Sequence, residues 1–280
     1  MFISFTTWVL FCPHLSHKFN LALDEKQVDF LCSVTILRRR ICSDKTTNSF
    51  SAEYLIFTMD LFKLLCESNN EAAALMTAGE IRKAFIILQK ATKLACQALS
   101  SLEEDDAHWE NDDKSSYDEV IVSSHTNDEP HLKGNVFLLP FVIHEPRFDK
   151  QTLRMRFPAI CAVLTYNMAI CSHRFFYSTN DLNKQQQAIS KAKILYCESA
   201  DILQHVNLSG SLGQLSLGIC NNMFEIAFED GNLTNIERWY SMLCDEFQHA
   251  KIKDYNATLC RVAFRSVVYY SGRIVAARAA

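Results

Sequence analysis

A short pattern occurs twice in this chain with identical spacing and a third time with an insertion. Asn70-x-Ala72 is followed nine residues after the Asn by Gly79, then by Ala84, Leu88 and Ala91. Asn222-x-Phe224 is followed at the same offset by Gly231, then by Ile236, Tyr240 and Leu243. Asn167-x-Ala169 opens the third copy, which resumes after a longer connection at Ala192, Tyr196 and Ser199. Self-similarity of this kind marks a repeat architecture, in which a helix pair buries its apolar face only by stacking on its neighbours.

Composition agrees. Of 280 residues only 7 are Gly and 5 Pro, which disfavours turn-rich all-β folds, and an apolar fraction of 49% supplies a core. A net charge of −4 implies no polyanionic partner. Eleven Cys lie without a CxxC pair, several on apolar helical faces (Cys96, Cys171, Cys220, Cys244). Buried free thiols in a reducing compartment explain them better than a disulfide framework.

Residues 1–58 read as an N-terminal extension, with a targeting segment and a packed helical cap left open. The run Phe2–Cys12 is too short to span a bilayer and lacks a basic flank. The first helix pair covers 59–100. Its second helix carries the clearest i, i+3, i+4 stripe: Ala84, Ile87/Leu88, Ala91, Leu94/Ala95, Ala98. Gly79 breaks the pair.

Residues 101–158 form an insertion. From Glu103 to Glu119 it is densely acidic, which predicts a disordered segment, with Ser115 and Ser116 as weak acidophilic-kinase sites. The apolar runs Val120–Val122 and Val136–Leu139 follow, either as a hairpin or, because Pro140 restricts the second, as a packed extended loop. A second helix pair is expected over 159–206, beginning near Ala159, with Asn180–Gln187 as its polar connection. A third pair covers 207–250. Residues 251–280 carry a capping helix with a stripe at Leu259, Val262/Ala263, Ser266/Val267 and Tyr270, and a tail that frays beyond Gly272.

These residues resemble the tetratricopeptide signature, with Asn and a small residue on the first helix, Gly at the turn, and a small–aromatic–small triplet on the second. The match covers 62–97 and 160–247. The overall order also resembles uncharacterised algal helical-repeat proteins with an acidic insertion. Phe224, Ile236 and Leu243 depart from the small residues of the signature, copy two lacks the turn Gly, and no Pro closes a copy. The resemblance implies an all-α chain: an α-α superhelix of about three helix pairs with a C-terminal capping helix.

In that family the first helices line a concave groove. Position by position, this implies a partner-binding surface of Asn69, Ala73 and Met76 from copy one. Copy two adds Tyr166, Ile170, His173 and Arg174, and copy three adds Asn221, Glu225, Phe228 and Glu229. For Tyr166 and Phe228, ordinary inter-repeat core stands as an equal alternative. Copy one lacks the lysines with which some members clamp a C-terminal carboxylate.

No phosphate-binding loop, G-x-S-x-G elbow, HExxH or EF-hand loop appears. Cys12-x-His14-x2-His17 lacks a fourth metal ligand. His173 has no nearby nucleophile or carboxylate in sequence, and Glu225 with Glu229 reads as a solvated or partner-facing strip. No cofactor and no catalytic residue is assigned. The expectation is a non-enzymatic scaffold that binds a protein or peptide segment, cytoplasmic or alternatively nuclear, without a membrane span. An RNA-binding solenoid is the alternative, disfavoured by the acidic balance and few Lys/Arg on the groove.

Overall fold

The computed structural model describes residues 52–102, 122–124, 136–144, 153–204, 211–249 and 257–279. They are mostly helical, as scarce Gly and Pro and the 3.6-residue stripes predict. The elements run α1 (Ala52–Thr77), α2 (Ile81–Leu102), β1 (Val122–Ser124), β2 (Phe141–Ile143), α3 (Leu153–Ser178), α4 (Leu182–Leu203), α5 (Ser211–Glu229), α6 (Leu233–His249) and α7 (Ala257–Ala279). The N-terminal extension up to residue 51, the Cys12/His14/His17 cluster and the acidic stretch Glu103–Glu119 lie outside the described residues.

Three-residue connections (78–80, 179–181, 230–232) join α1 to α2, α3 to α4 and α5 to α6. Gly79 and Gly231 sit at φ 83° and 67°, a left-handed conformation that costs a residue with a Cβ about 1–2 kcal/mol. At the first turn the Gly79 N–H donates to the Met76 carbonyl and the Glu80 N–H to that of Leu75, the Schellman closure of a helix end. The middle connection uses a different device. Asp181 caps α4 through its side chain, which accepts from the Asn183 and Lys184 N–H groups.

Asn183–Gln187 therefore belong to a helix rather than to a long connection. The run is polar because it is solvent-exposed, and Lys and Gln are good helix formers once a cap is in place. Two other boundaries shift. Helix α1 begins seven residues before Met59, and α3 begins at Leu153, with Pro158 inside it. The terminal helix passes through Gly272 to Ala279, so its end is helical, and its expected stripe is buried except at Val267, which is half-buried.

Each first helix contacts the next: α1 packs on α3, α3 on α5, and α5 on α7. The second helices bridge forward, α2 onto α3, α4 onto α5 and α6 onto α7. Small residues at the crossings (Ala72, Ala84, Ala91, Ala169, Ala192) are fully or almost fully buried, which lets helix axes approach. Gly218 of α5 does the same against Tyr166, whose hydroxyl would stand 3.0 Å from an added Cβ. Helix α3 lies in the middle, with every side chain from Ala159 to His173 buried. Its buried positions include the polar Thr165, Asn167, Ser172 and His173 as well as apolar residues, so it is a core helix that carries polar groups inside. No helix among the described residues is long and apolar enough to cross a membrane.

The described cysteine side chains are free thiols. Cys66, Cys161, Cys171 and Cys220 are buried, while Cys197, Cys244 and Cys260 are half-buried. Burial pushes the Cys171 thiol up to about 12, so it packs as a small apolar group. The side chain of Cys96 lies outside the described residues.

Candidate functional site

The first helices α1, α3 and α5 each carry one copy of the repeated Asn, and all three point at a single stretch of chain. Residues 136–144 run extended across these helices, with Phe137 and Phe141 fully buried and Ile143 1% exposed. Asn222 accepts from the Phe137 N–H at 2.8 Å and donates to the Phe137 carbonyl at 2.7 Å. Asn167 treats Phe141 in the same way, at 2.9 and 2.7 Å. Asn70 does so for Ile143, at 2.8 and 2.7 Å. A primary amide presents one acceptor and donors in the spacing of a peptide group, so each Asn replaces a neighbouring strand.

The opposite edge of the segment is paired by backbone. Strand β2 lies antiparallel to β1, with Val142 opposite Ser123. Alternate residues of a strand offer their N–H and C=O to opposite sides. Phe141 and Ile143 thus face the asparagines while Val142 faces β1. The extended loop expected at Val136–Leu139 is present, and the strand lies beyond Pro140, because Pro140 cannot donate to a ladder. The hairpin therefore pairs 122–124 with 141–143 rather than with the second apolar run, Val136–Leu139.

Asn69 closes the middle of the row: its Nδ2 donates to the Phe141 carbonyl at 2.9 Å, and its Oδ1 accepts from Asn167 at 2.8 Å. Aromatic packing fills the space behind. Phe141 meets Tyr166 edge-on at 5.2 Å between ring centroids, and Tyr166 meets Tyr196 at 5.6 Å.

A polar relay runs deeper. Asn222 Nδ2 also donates to the Tyr196 hydroxyl at 3.0 Å, and that hydroxyl is hydrogen-bonded to His173 Nδ1 at 3.3 Å. The Nε2 of His173 finds no hydrogen-bond partner among the described residues. Desolvation lowers its pKa to about 3. Burial likewise raises the Tyr166 and Tyr196 phenols well above their usual range, so neither ionises.

The residues expected to line an open groove occupy other positions. Asn69, Ala73, Met76, Tyr166, Ile170, His173 and Asn221 are all buried. Segment 136–144 covers the copy-one and copy-two face at Asn69 and Tyr166. Arg174 is half-buried and donates to the Met76 carbonyl at 2.7 Å, favourably placed at the C-terminal end of α1. Helix α7 covers the copy-three residues. The Ser266 hydroxyl lies 2.9 Å from Asn221 Oδ1 and 2.7 Å from Glu225 Oε1, its single proton shared between the two acceptors, while Phe228 packs against Tyr269 and Tyr270. Glu229 is exposed and accepts from the Tyr177 hydroxyl at 3.5 Å. The chain's own elements thus fill the face.

The asparagines that hold the segment, Asn70, Asn167 and Asn222, stand one position after or beside the residues carried over from the family. Their signal was present in the sequence as a regularly spaced amide on an apolar face. Among the described residues no group of three His, Cys, Asp or Glu is placed to hold a metal. No family model matches the chain, and neither a curated protein nor a solved structure is significantly similar to it.

Proposed function

We propose that this chain is a non-enzymatic scaffold of tetratricopeptide-like helix pairs, stacked as an α-α superhelix, whose first helices take a partner protein's segment in extended form. One observation carries the reading: three asparagines, one per helix pair, bind both backbone groups of Phe137, Phe141 and Ile143. Six polar groups devoted to backbone make a surface that recognises extended conformation before it recognises side chains, the mode of strand addition. Buried free thiols suit a reducing cytoplasm, with the nucleus as the alternative.

Selection of a displayed random-peptide library on the full-length chain tests this, with single-stranded RNA homopolymers titrated in parallel. Enrichment of aromatic and aliphatic peptides is expected. Failure to enrich any peptide would sink the scaffold, and RNA affinity with a steep salt dependence would replace it with the RNA-binding reading.

A further inference from the structure

We infer that residues 136–144 are an exchangeable occupant of the asparagine row. The partner that replaces them is then an extended apolar segment with an aromatic residue, a second aromatic four positions on, an aliphatic residue two beyond that, and apolar residues between the two aromatics. This rests on the scaffold reading above and gives the partner its chemistry.

The register comes from the seated segment itself. All the bonds of Asn70, Asn167 and Asn222 to it go to the backbone of residues 137, 141 and 143, and none reaches Leu138, Leu139 or Pro140. The row therefore imposes spacing and conformation, and any extended chain can supply those amides. Side-chain choice enters at these three positions and at Val136, Leu138, Leu139 and Pro140, which are buried as well. Phe137 and Phe141 are fully buried with ring centroids 6.0 Å apart, Phe141 abuts Tyr166, and Ile143 is 1% exposed. Val142 is half-buried and His144 exposed, so those positions are free to vary. Proline is accepted at 140 because its nitrogen is asked for nothing.

Exchange is a competition at fixed contact chemistry. A tethered segment competes at an effective concentration on the order of 1 mM, so an identical free peptide half-displaces it only at about that concentration. A partner with further contacts, or a chain whose own segment is weakened, shifts the balance by the corresponding factor.

The test uses the full-length chain and a fluorescent peptide of residues 134–146 with a solubilising lysine tail, read by anisotropy. Half-saturation is expected near about 1 mM with the unaltered chain. With Phe141→Ala in the chain it should fall by roughly 100-fold, the equilibrium effect of truncating a buried Phe. N-methylation of the peptide amide equivalent to Phe141 should abolish binding, whereas N-methylation at the Leu139 equivalent, whose N–H meets no asparagine of the row, should weaken it far less.

Absence of saturable binding to a folded Phe141→Ala chain, judged by circular dichroism, would make the segment a permanent core element and overturn the inference. So would equal binding of the two methylated peptides. Should Phe141→Ala fail to fold, a peptide with a benzophenone in place of Phe141 is photolysed with the unaltered chain. Cross-links on α3 around Tyr166 support exchange, and their absence overturns it. Library peptides that bind without being displaced by the 134–146 peptide would leave the scaffold standing and remove this inference. Exchange of that peptide with no library enrichment would do the reverse.

Discussion

Helices α3 and α5 are buried on nearly every side, while α2 and α6 keep one wet face and one apolar stripe. All four descend from the same repeated pattern. On the outer helices burial is achieved with apolar atoms, as in α2, where Ala84, Leu88, Ala91 and Ala95 form the buried line. On the inner helices it is achieved with amides as well: Asn167, Asn221 and Asn222 are fully buried, each with a partner. An inner position is thus constrained by hydrogen-bond partners at fixed distances, and an outer one mainly by volume. Buried amides are costly when one partner is lost, because the other keeps its full desolvation penalty.

Breaking the inner row should show the largest effect. Asn167→Leu keeps the branching of the side chain but leaves the Phe141 N–H and the Asn69 carbonyl oxygen without their partner. At about 1–3 kcal/mol for each buried unsatisfied group, a loss of about 3 kcal/mol or more in urea unfolding is expected. A loss below about 1 kcal/mol would erase the distinction between inner and outer helices.

On the outer side Ala84→Phe should overpack a helix crossing and cost about 1–3 kcal/mol. An unchanged melting temperature would mean that Ala84 does not lie at a close crossing.

His173 sharpens the contrast through pH. Its folded pKa, about 3, lies below the unfolded value of about 6.5, so the unfolded chain binds the proton first as pH falls. The contribution is whole above pH ~6.5 and is lost as pH falls toward ~3, about 2 kcal/mol of it between pH 7 and pH 5. In His173→Phe the stability profile over that interval should flatten, and an unchanged slope would assign the pH dependence to other groups.

The smallest effect is expected at the surface. Lys193 of α4 pairs with Asp230 at the end of α5, both partly solvated. Lys193→Ala should cost less than about 1 kcal/mol, with the pair weakened further by salt. A larger loss in thermal melts would show that this exterior contact holds two helix pairs together.

Much of the fold was legible in the residues. The turn glycines Gly79 and Gly231 adopt the positive φ that their position between stripes implied. Ala84, Leu88, Ala91 and Ala95, and Leu259, Val262/Ala263, Ser266 and Tyr270, face inward as their period requires, whereas Leu94, expected in the first stripe, is exposed. Polar runs were harder. Asn183–Gln187 looked like a connection because no apolar residue marked a buried face, although an exposed helical turn needs none once Asp181 caps it. Leu153–Phe157 escaped because Pro158 imitates a helix boundary, whereas α3 continues through it.

The candidate site was legible only as a rhythm. Asn70, Asn167 and Asn222 opened each copy, but spacing along one helix says nothing about what lies across from it. The residues carried over from the family sit at the right level of the molecule, yet most are covered. Local periodicity determined the helices, their turns and the side each helix turns inward, since these depend on neighbours three or four residues away. Which surface stays open was decided by contacts over sequence separations of 26, 73 and 85 residues, between asparagine amides and the backbone of 137–143. Buried backbone must be paired with something, and only the folded chain brings those amides within reach of it.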